Sequence, residues 1–256
     1  MALEIDLKGH VALVTGASGE LGRVMVRTLA VCGADIAVHY FTNRRKAEEL
    51  RHEVEALGQN VCVVSGDVGS FDAIVQMQKQ IKDVLGDPDI IVANAVSQIL
   101  PWKPLLKEEI ADYEDQFRSC VLQNVFCAKV FVPAMIKKKW GRYIGINTEC
   151  AMQVDKNMSA YASAKRGMDG VLRVLAREIG EHQVTVNQVA PGWTVSEKDR
   201  RKHTIVQKKY QSTVPLRRRG TDQEIANVVA FLASDLASFI TGAYIPVCGG
   251  NVMPAI

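Results

Sequence analysis

Several classes of protein are excluded by what this 256-residue chain does not contain. No apolar run approaches the roughly 18 residues a membrane-spanning helix needs, so no membrane partner is expected. The first ten residues, MALEIDLKGH, carry two acids and no apolar core, which is not the pattern of a secretory signal. The six cysteines, at 32, 62, 120, 127, 150 and 248, form no CxxC pair and no Cys/His cluster. The expectation is therefore reduced thiols in a cytoplasmic protein, with no metal site. There is no internal repeat and no low-complexity linker. The net charge is only +3, too small for a polyanion binder, so nucleic acid is not an expected partner. What is present is 48% hydrophobic content over a length that suits one large core, a single domain of residues 1–256.

Short apolar runs alternate with amphipathic stretches. Strands are predicted at Val11–Thr15, Asp35–Tyr40, Val61–Ser65, Ile90–Ala93, Arg142–Ile146, Val184–Val189 and Ile245–Val247. They are continuous rather than alternating, as strands covered on both faces should be. Between them lie helical stripes. Ala47, Leu50, Val54 and Leu57 form one, which Gly58 ends, and Thr221 with Glu224 forms a capping box ahead of Ile225, Val228, Val229 and Leu232. The alternation predicts an α/β fold with a doubly wound parallel sheet and helices on both faces. In such sheets ligands bind beyond the carboxyl ends of the strands.

Two of those ends carry chemistry. The first is LVTGASGELG, where a strand enters a glycine turn and a helix follows. Backbone N–H groups at a helix start suit a pyrophosphate. Gly16 permits the tight turn, Gly22 lets the helix pack close to the strand, and Ser18, Gly19, Glu20 and Leu21 complete the loop. The alternative is an ordinary strand–helix turn. Glu20 is out of place in a phosphate loop: a like charge at ~6 Å and an effective dielectric of ~20 costs on the order of 2–3 kcal/mol before screening. The expectation is weakened cofactor binding, tightened by Glu20→Gly unless the carboxylate points away. Asp67, in SGDVGS, stands either to accept from an adenine amino group or to cap the next helix. The second end is YASAK, which puts Tyr161 and Lys165 at i and i+4 on one helical face. A nearby ammonium lowers a phenol's pKa from about 10, and the phenol can then exchange a proton with a carbonyl or alcohol oxygen. Thr148, after the strand GRYIGIN, offers a hydroxyl to the same oxygen. Unsupported, a Tyr–Lys pair on a helix is surface decoration.

Together TGASGELG, GDV, ANA, YASAKRGMDGVLRVLAREIG, VTVNQVAPGW, EIANVVAFLASDLASFITG and VCGG resemble the short-chain dehydrogenase/reductase family over essentially the whole chain, and in particular its 3-oxoacyl-(acyl-carrier-protein) reductase-like ketoreductases. The resemblance implies a seven-stranded Rossmann-type sheet, NAD(P)(H), hydride transfer at a carbonyl, and a homotetramer or homodimer. It makes Tyr161 the acid/base and gives Lys165 the nicotinamide ribose. Thr148 stands where the family usually has Ser. Asp67 and Val68 match the adenine pocket, and Asn94 and Ala95 match part of an Asn-Asn-Ala-Gly motif. Pro191 and Gly192 match the nicotinamide wall, with Thr194 beyond them and Ser196 where a Thr usually meets the carboxamide. The departures are Glu20 for a loop glycine, Val96 at the end of the Asn-Asn-Ala-Gly motif, Cys248 for an Asp, and Cys120 for the Asn of the proton relay. A thiol is a poor partner for that relay's water. Asn124, one turn on, replaces it only if the register or a water shifts.

For the cofactor, Tyr40 occupies the position where an NAD-preferring relative ends its second strand in Asp. With Arg44 or Arg45 available to a 2′-phosphate, NADP(H) is favoured over NAD(H), although Phe41 sits where relatives often have Arg. Residues 193–219 are the substrate lid by resemblance. From Glu197 to Arg219 nine basic residues face two acids, a charge of +7, whereas the whole chain is +3, leaving −4 elsewhere. Such a lid attracts an anion: an acyl thioester, free or on a carrier protein, or an acidic small molecule. A merely solvated lid is the alternative. Lys137, Lys138 and Lys139 suit carrier docking or simply the helix dipole, and His182 replaces a companion Arg. Trp193 either stacks on substrate or packs. The expected activity is carbonyl reduction. The other readings are a family member that has lost catalysis and acts as a binding or scaffold subunit, and an alcohol or sugar dehydrogenase.

Overall fold

Apolar runs become strands buried on both faces. The computed structural model describes residues 4–97 and 101–254. Among them lie β1 (Val11–Val14), β2 (Asp35–Tyr40), β3 (Val61–Ser65), β4 (Ile90–Ala93), β5 (Gly141–Ile146), β6 (Val184–Pro191) and β7 (Tyr244–Val247). Every residue of β1, β4, β5 and β6 is buried. All pair in parallel, in the order β3-β2-β1-β4-β5-β6-β7. The strand order reverses between β1 and β4, the switch point at whose carboxyl ends such sheets bind their ligands. The strand boundaries match the sequence reading to within two residues, and this is the doubly wound sheet expected.

The helices are α1 (Glu20–Val31), α2 (Arg44–Ala56), α3 (Phe71–Leu85), α4 (Ile110–Phe117), α5 (Gln123–Lys138), α6 (Cys150–Gln153), α7 (Ser159–Ile179), α8 (Glu197–Arg201), α9 (Lys208–Thr213) and α10 (Asp222–Ala233). The stripes of α1, α2 and α10 bury Leu29, Leu50 and Val229 on one side of the sheet. Those of α3, α5 and α7 bury Ile74, Phe131 and Leu172 on the other. The Thr221–Glu224 capping box is present. Leu57 departs from the predicted stripe: it caps α2 and is exposed, because the chain turns away at Gly58.

A π-helical stretch, Arg118–Leu122, joins α4 to α5, so residues 110–138 form one long helix. By length and composition this helix is apolar enough to cross a membrane, although no uninterrupted apolar run in it approaches that length. Half of its most apolar window is buried inside the protein, with Cys127, Phe131, Val132 and Met135 in the core beneath the sheet. All six cysteines are unpaired.

Candidate active site

The glycine turn is built for close approach. Gly16 has φ +63°, and a Cβ there would lie 3.0 Å from the Ala95 Cα. A Cβ on Gly22 would lie 2.4 Å from the Gly16 carbonyl oxygen, so only glycine lets α1 rest on the turn. Gly19 is the N-cap of α1 and supplies no side-chain acceptor. Among the described residues, the N–H groups of Glu20, Leu21 and Gly22 have no protein acceptor. With half-buried Ser18 alongside, that unfilled donor set fits a pyrophosphate.

Two clamps that the sequence reading missed hold this loop. Buried His39 of β2 accepts from the Gly16 N–H at its Nδ1 (2.9 Å), and its Nε2 lies 2.9 Å from the Gly66 carbonyl. That pairing requires the Nε2–H tautomer, and burial pushes the imidazole pKa down, keeping it neutral. Thr15 Oγ1 donates to Gln123 Oε1 (2.6 Å) and accepts from the N–H groups of Asn94 (2.9 Å) and Ala95 (3.0 Å). The Asn94 side chain donates to the Thr15 carbonyl at 2.8 Å, so it ties β4 to the loop.

At the adenine side, Val68 is buried and Asp67 exposed. The Asp67 carboxylate accepts from the Gly69 N–H (2.8 Å), while Ser70 caps α3; the helix-cap reading of Asp67 is thereby corrected. Tyr40 is half-buried at the end of β2 and Phe41 is exposed. Arg44 and Arg45 face solvent in i,i+4 pairs with Glu48 (3.5 Å) and Glu49 (2.5 Å). The inward cation of that turn is Lys46, 3.7 Å from Glu20. The other Glu20 carboxylate oxygen accepts from the Lys198 N–H at 2.9 Å. Glu20 is thus turned toward the lid and α2, which replaces the expectation of a carboxylate opposing the phosphates.

At the catalytic end, Thr148 follows β5 and its hydroxyl lies near the Tyr161 phenol. Lys165 is buried, and its ammonium donates to the Ile146 carbonyl (2.6 Å) while lying 5.9 Å from the Tyr161 ring centre. Burial dominates at Tyr161 and pushes its pKa above the usual phenol value, against the neighbouring Thr148 hydroxyl, which lowers it. The expected lowering by Lys165 is overturned in this state, because the strand-end carbonyl engages the ammonium and burial is the larger effect. Trp102 stands edge-on to Tyr161 at 5.7 Å. Asn147 positions α7 by donating to the Lys165 carbonyl (3.1 Å) and to Gln188 (2.7 Å).

Cys120 is fully buried in the π-helical stretch, its thiol 3.9 Å from Gln116 Oε1. Asn124 does not replace the relay Asn: its Nδ2 donates to the Cys120 carbonyl (2.6 Å) and its Oδ1 accepts from the Tyr143 hydroxyl (3.0 Å). The predicted Asn94-Ala95 ends beside Val96, which is exposed.

Pro191 is buried at the end of β6, next to Gly192. The Thr194 hydroxyl donates to the Gly192 carbonyl (2.9 Å). Ser196 caps α8 in a reciprocal box with Asp199, so its hydroxyl is engaged locally rather than left for a carboxamide. Trp193 packs, with Tyr210 edge-on at 5.6 Å and the Arg219 guanidinium 4.9 Å from its ring. Beneath it lies Glu149, a buried carboxylate absent from the sequence reading. It accepts from the Tyr210 hydroxyl (2.8 Å) and Asn251 Nδ2 (3.0 Å), and burial pushes its pKa up. Three of the lid's nine cations are paired. Arg200 pairs with Asp222 (2.6 Å), Arg218 with Glu224 (2.6 Å) and Arg219 with Asp199 (2.9 Å). Lys138 pairs with buried Asp89, which removes it from a docking patch.

A family model described as enoyl-(acyl carrier protein) reductase matches residues 16–251. The chain is 34% identical over 249 residues to the 3-oxoacyl-[acyl-carrier-protein] reductase FabG of Pseudomonas aeruginosa, covering 97% of this chain and 100% of that one. Its fold superposes with TM-score 0.90 on a putative gluconate dehydrogenase from Agrobacterium tumefaciens, at 25% identity, covering 98% of this chain and 100% of that one. It superposes with TM-score 0.88 on a 7α-hydroxysteroid dehydrogenase complexed with NADH and 7-oxo glycochenodeoxycholic acid, at 27% identity, covering 98% of this chain and 97% of that one. With the glycine turn, the Tyr–Lys pair and this agreement in sequence and fold, the chain belongs to the short-chain dehydrogenase/reductase family, as an oxidoreductase.

Proposed function

We propose that this chain reduces a 3-oxoacyl thioester, or a ketone of similar shape, with NADPH. The observation that carries the reading is Tyr161, a phenol beside the Thr148 hydroxyl with the Lys165 ammonium 5.9 Å from its ring centre. Bound in the cleft, NAD(P)H supplies the hydride. The chain's residues do the rest. Thr148 and Tyr161 hold the carbonyl oxygen, and Tyr161 delivers the proton as that oxygen becomes a hydroxyl. A protonated phenol at neutral pH suits the reductive direction. The N–H groups of Glu20, Leu21 and Gly22 take the pyrophosphate, Asp67 and Val68 the adenine, and Lys165 the ribose. Arg44 and Arg45 stand at the start of α2, and no acid replaces Tyr40 at the end of β2, which supports the phosphorylated cofactor.

The FabG likeness supports an acyl group on a carrier protein or coenzyme. The putative gluconate dehydrogenase supports a second reading, a sugar-acid or alcohol dehydrogenase on the same residues. A cytoplasmic homotetramer or homodimer fits both. The test is a panel of 3-oxoacyl thioesters, ketones, sugar acids and secondary alcohols, assayed with each cofactor. Turnover highest on 3-oxoacyl thioesters with NADPH supports the proposal. Turnover confined to sugar acids or alcohols would replace it with the second reading.

A further inference from the structure

We infer that Glu20 is a positioning residue that fastens the substrate lid to the phosphate loop. The inference rests on reading residues 16–22 as that loop and 193–219 as the lid. Glu20 opens α1, yet one of its carboxylate oxygens accepts from the N–H of Lys198, in the first turn of α8 and 178 residues away in sequence. Its other oxygen lies 3.7 Å from the Lys46 ammonium. One turn along α1, Arg23 repeats the contact with Glu197 at 3.3 Å. The start of α1 and the start of α8 are therefore joined by a side chain that a glycine at position 20 cannot supply.

What is joined moves as one block. Ser196 and Asp199 close a capping box on α8. The Asp199 carboxylate accepts from Arg219 at 2.9 Å, and Arg219 in turn donates to the carbonyls of Trp193 (3.1 Å), Thr194 (2.7 Å) and Thr204 (3.0 Å). The Arg219 side chain is essentially buried, so this block has little freedom of its own. A hold on Lys198 is transmitted through Asp199 and Arg219 to Trp193 and Thr194, beside the Pro191–Gly192 wall. Glu20 acts through α8 and touches no reacting atom. Its neutralisation by an amide and an ammonium also accounts for how a carboxylate is tolerated beside a pyrophosphate site.

The reach of the side chain separates this role from a purely electrostatic one. Glu20→Gln keeps an acceptor for the Lys198 N–H and loses the charge. Glu20→Asp keeps the charge and is one methylene too short. Glu20→Gly loses both. In the protein without cofactor, limited trypsinolysis at Lys198, Arg200, Arg201 and Lys202 is expected to be about as slow in Glu20→Gln as in the parent, and severalfold faster in Glu20→Asp and Glu20→Gly, with unchanged circular dichroism. In turnover, KM for the carbonyl substrate is expected to rise severalfold in the same two variants. Parental trypsinolysis and KM in Glu20→Asp would overturn the inference, as would Glu20→Gln being as loose as Glu20→Gly. Should Glu20→Gly fail to fold, the Gln and Asp pair decides alone. If the proteolysis ranking holds but no variant binds NADPH or NADH, the fastening stands and the cofactor reading fails.

Discussion

The catalytic floor and the lid are fixed by different means. Lys165, Asn147 and Thr148 are buried and satisfied by strand-end carbonyls and neighbouring side chains, so their geometry is inherited from the sheet. The lid is held by pairs such as Arg200–Asp222 and Arg218–Glu224 that face solvent on at least one side, and by two carboxylates, Glu20 and Glu149, reaching up from the floor. Buried hydrogen-bonded groups are costly to disturb, whereas exposed ion pairs contribute little. The fold places rigidity where atoms react and economy of attachment where substrate must enter.

The sharpest break in that comparison is Tyr161→Phe. It removes the proposed proton donor while sparing packing, and turnover is expected to fall by roughly 10²–10⁴-fold with cofactor affinity, read by fluorescence titration, little changed. Turnover close to the parent's would remove Tyr161 from the chemistry. The direction of reaction sharpens the same point. Because burial holds the phenol protonated, reduction should stay flat through neutral pH, while alcohol oxidation should climb as pH rises. A reductive rate that falls between pH 6 and 8 would contradict this sign.

On the nucleotide side, His39→Ala orphans the Gly16 N–H and the Gly66 carbonyl and should cost roughly 1–3 kcal/mol of stability, seen as a lower Tm with weaker cofactor binding. His39 also sets a pH dependence. Its folded pKa lies below the unfolded value near ~6.5, so the unfolded chain takes up the proton first. The stability it contributes is complete above that value and is lost as pH falls through it toward the folded pKa. A denaturation midpoint equally acid-sensitive in parent and His39→Ala would remove His39 as the cause.

At the lid, Tyr210→Phe takes one partner from buried Glu149 and should raise substrate KM, with about 1 kcal/mol lost in thermal stability. A change in kcat alone would place Tyr210 in the chemistry instead. The smallest effect is expected from Arg218→Ala, a slight loss of thermal stability that shrinks in high salt. A larger, salt-independent loss would mean that this lid attachment resembles the floor.

The legible parts of the molecule were local. The glycine turn, the i,i+4 spacing of Tyr161 and Lys165 and the Thr221–Glu224 box each fit within one turn or one helix. The unread parts join distant segments. His39 acts on Gly16 and Gly66, 23 and 27 residues away, although a histidine near the end of an apolar strand was a usable signal. Thr15 meets Gln123 across 108 residues, and Glu149 meets Asn251 across 102. An acid placed directly after Thr148 was visible, but nothing local said that a tyrosine from the lid would close over it. The π-helical stretch explains the difficulty around Cys120 and Asn124. One widened turn shifts every later side chain on the helix, and residue spacing alone does not register it.

The lid's ion pairs also change what its basic composition means for an approaching substrate. Of the nine basic residues there, Lys198, Arg201, Lys202, Lys208, Lys209 and Arg217 make no ion pair among the described residues. Exposed charges of this kind speed encounter more than they strengthen a complex, and their field fades within about 8 Å at physiological salt. They would act as a kinetic funnel for any anionic substrate: capture slows as salt is added, while the lifetime of the bound complex stays nearly the same.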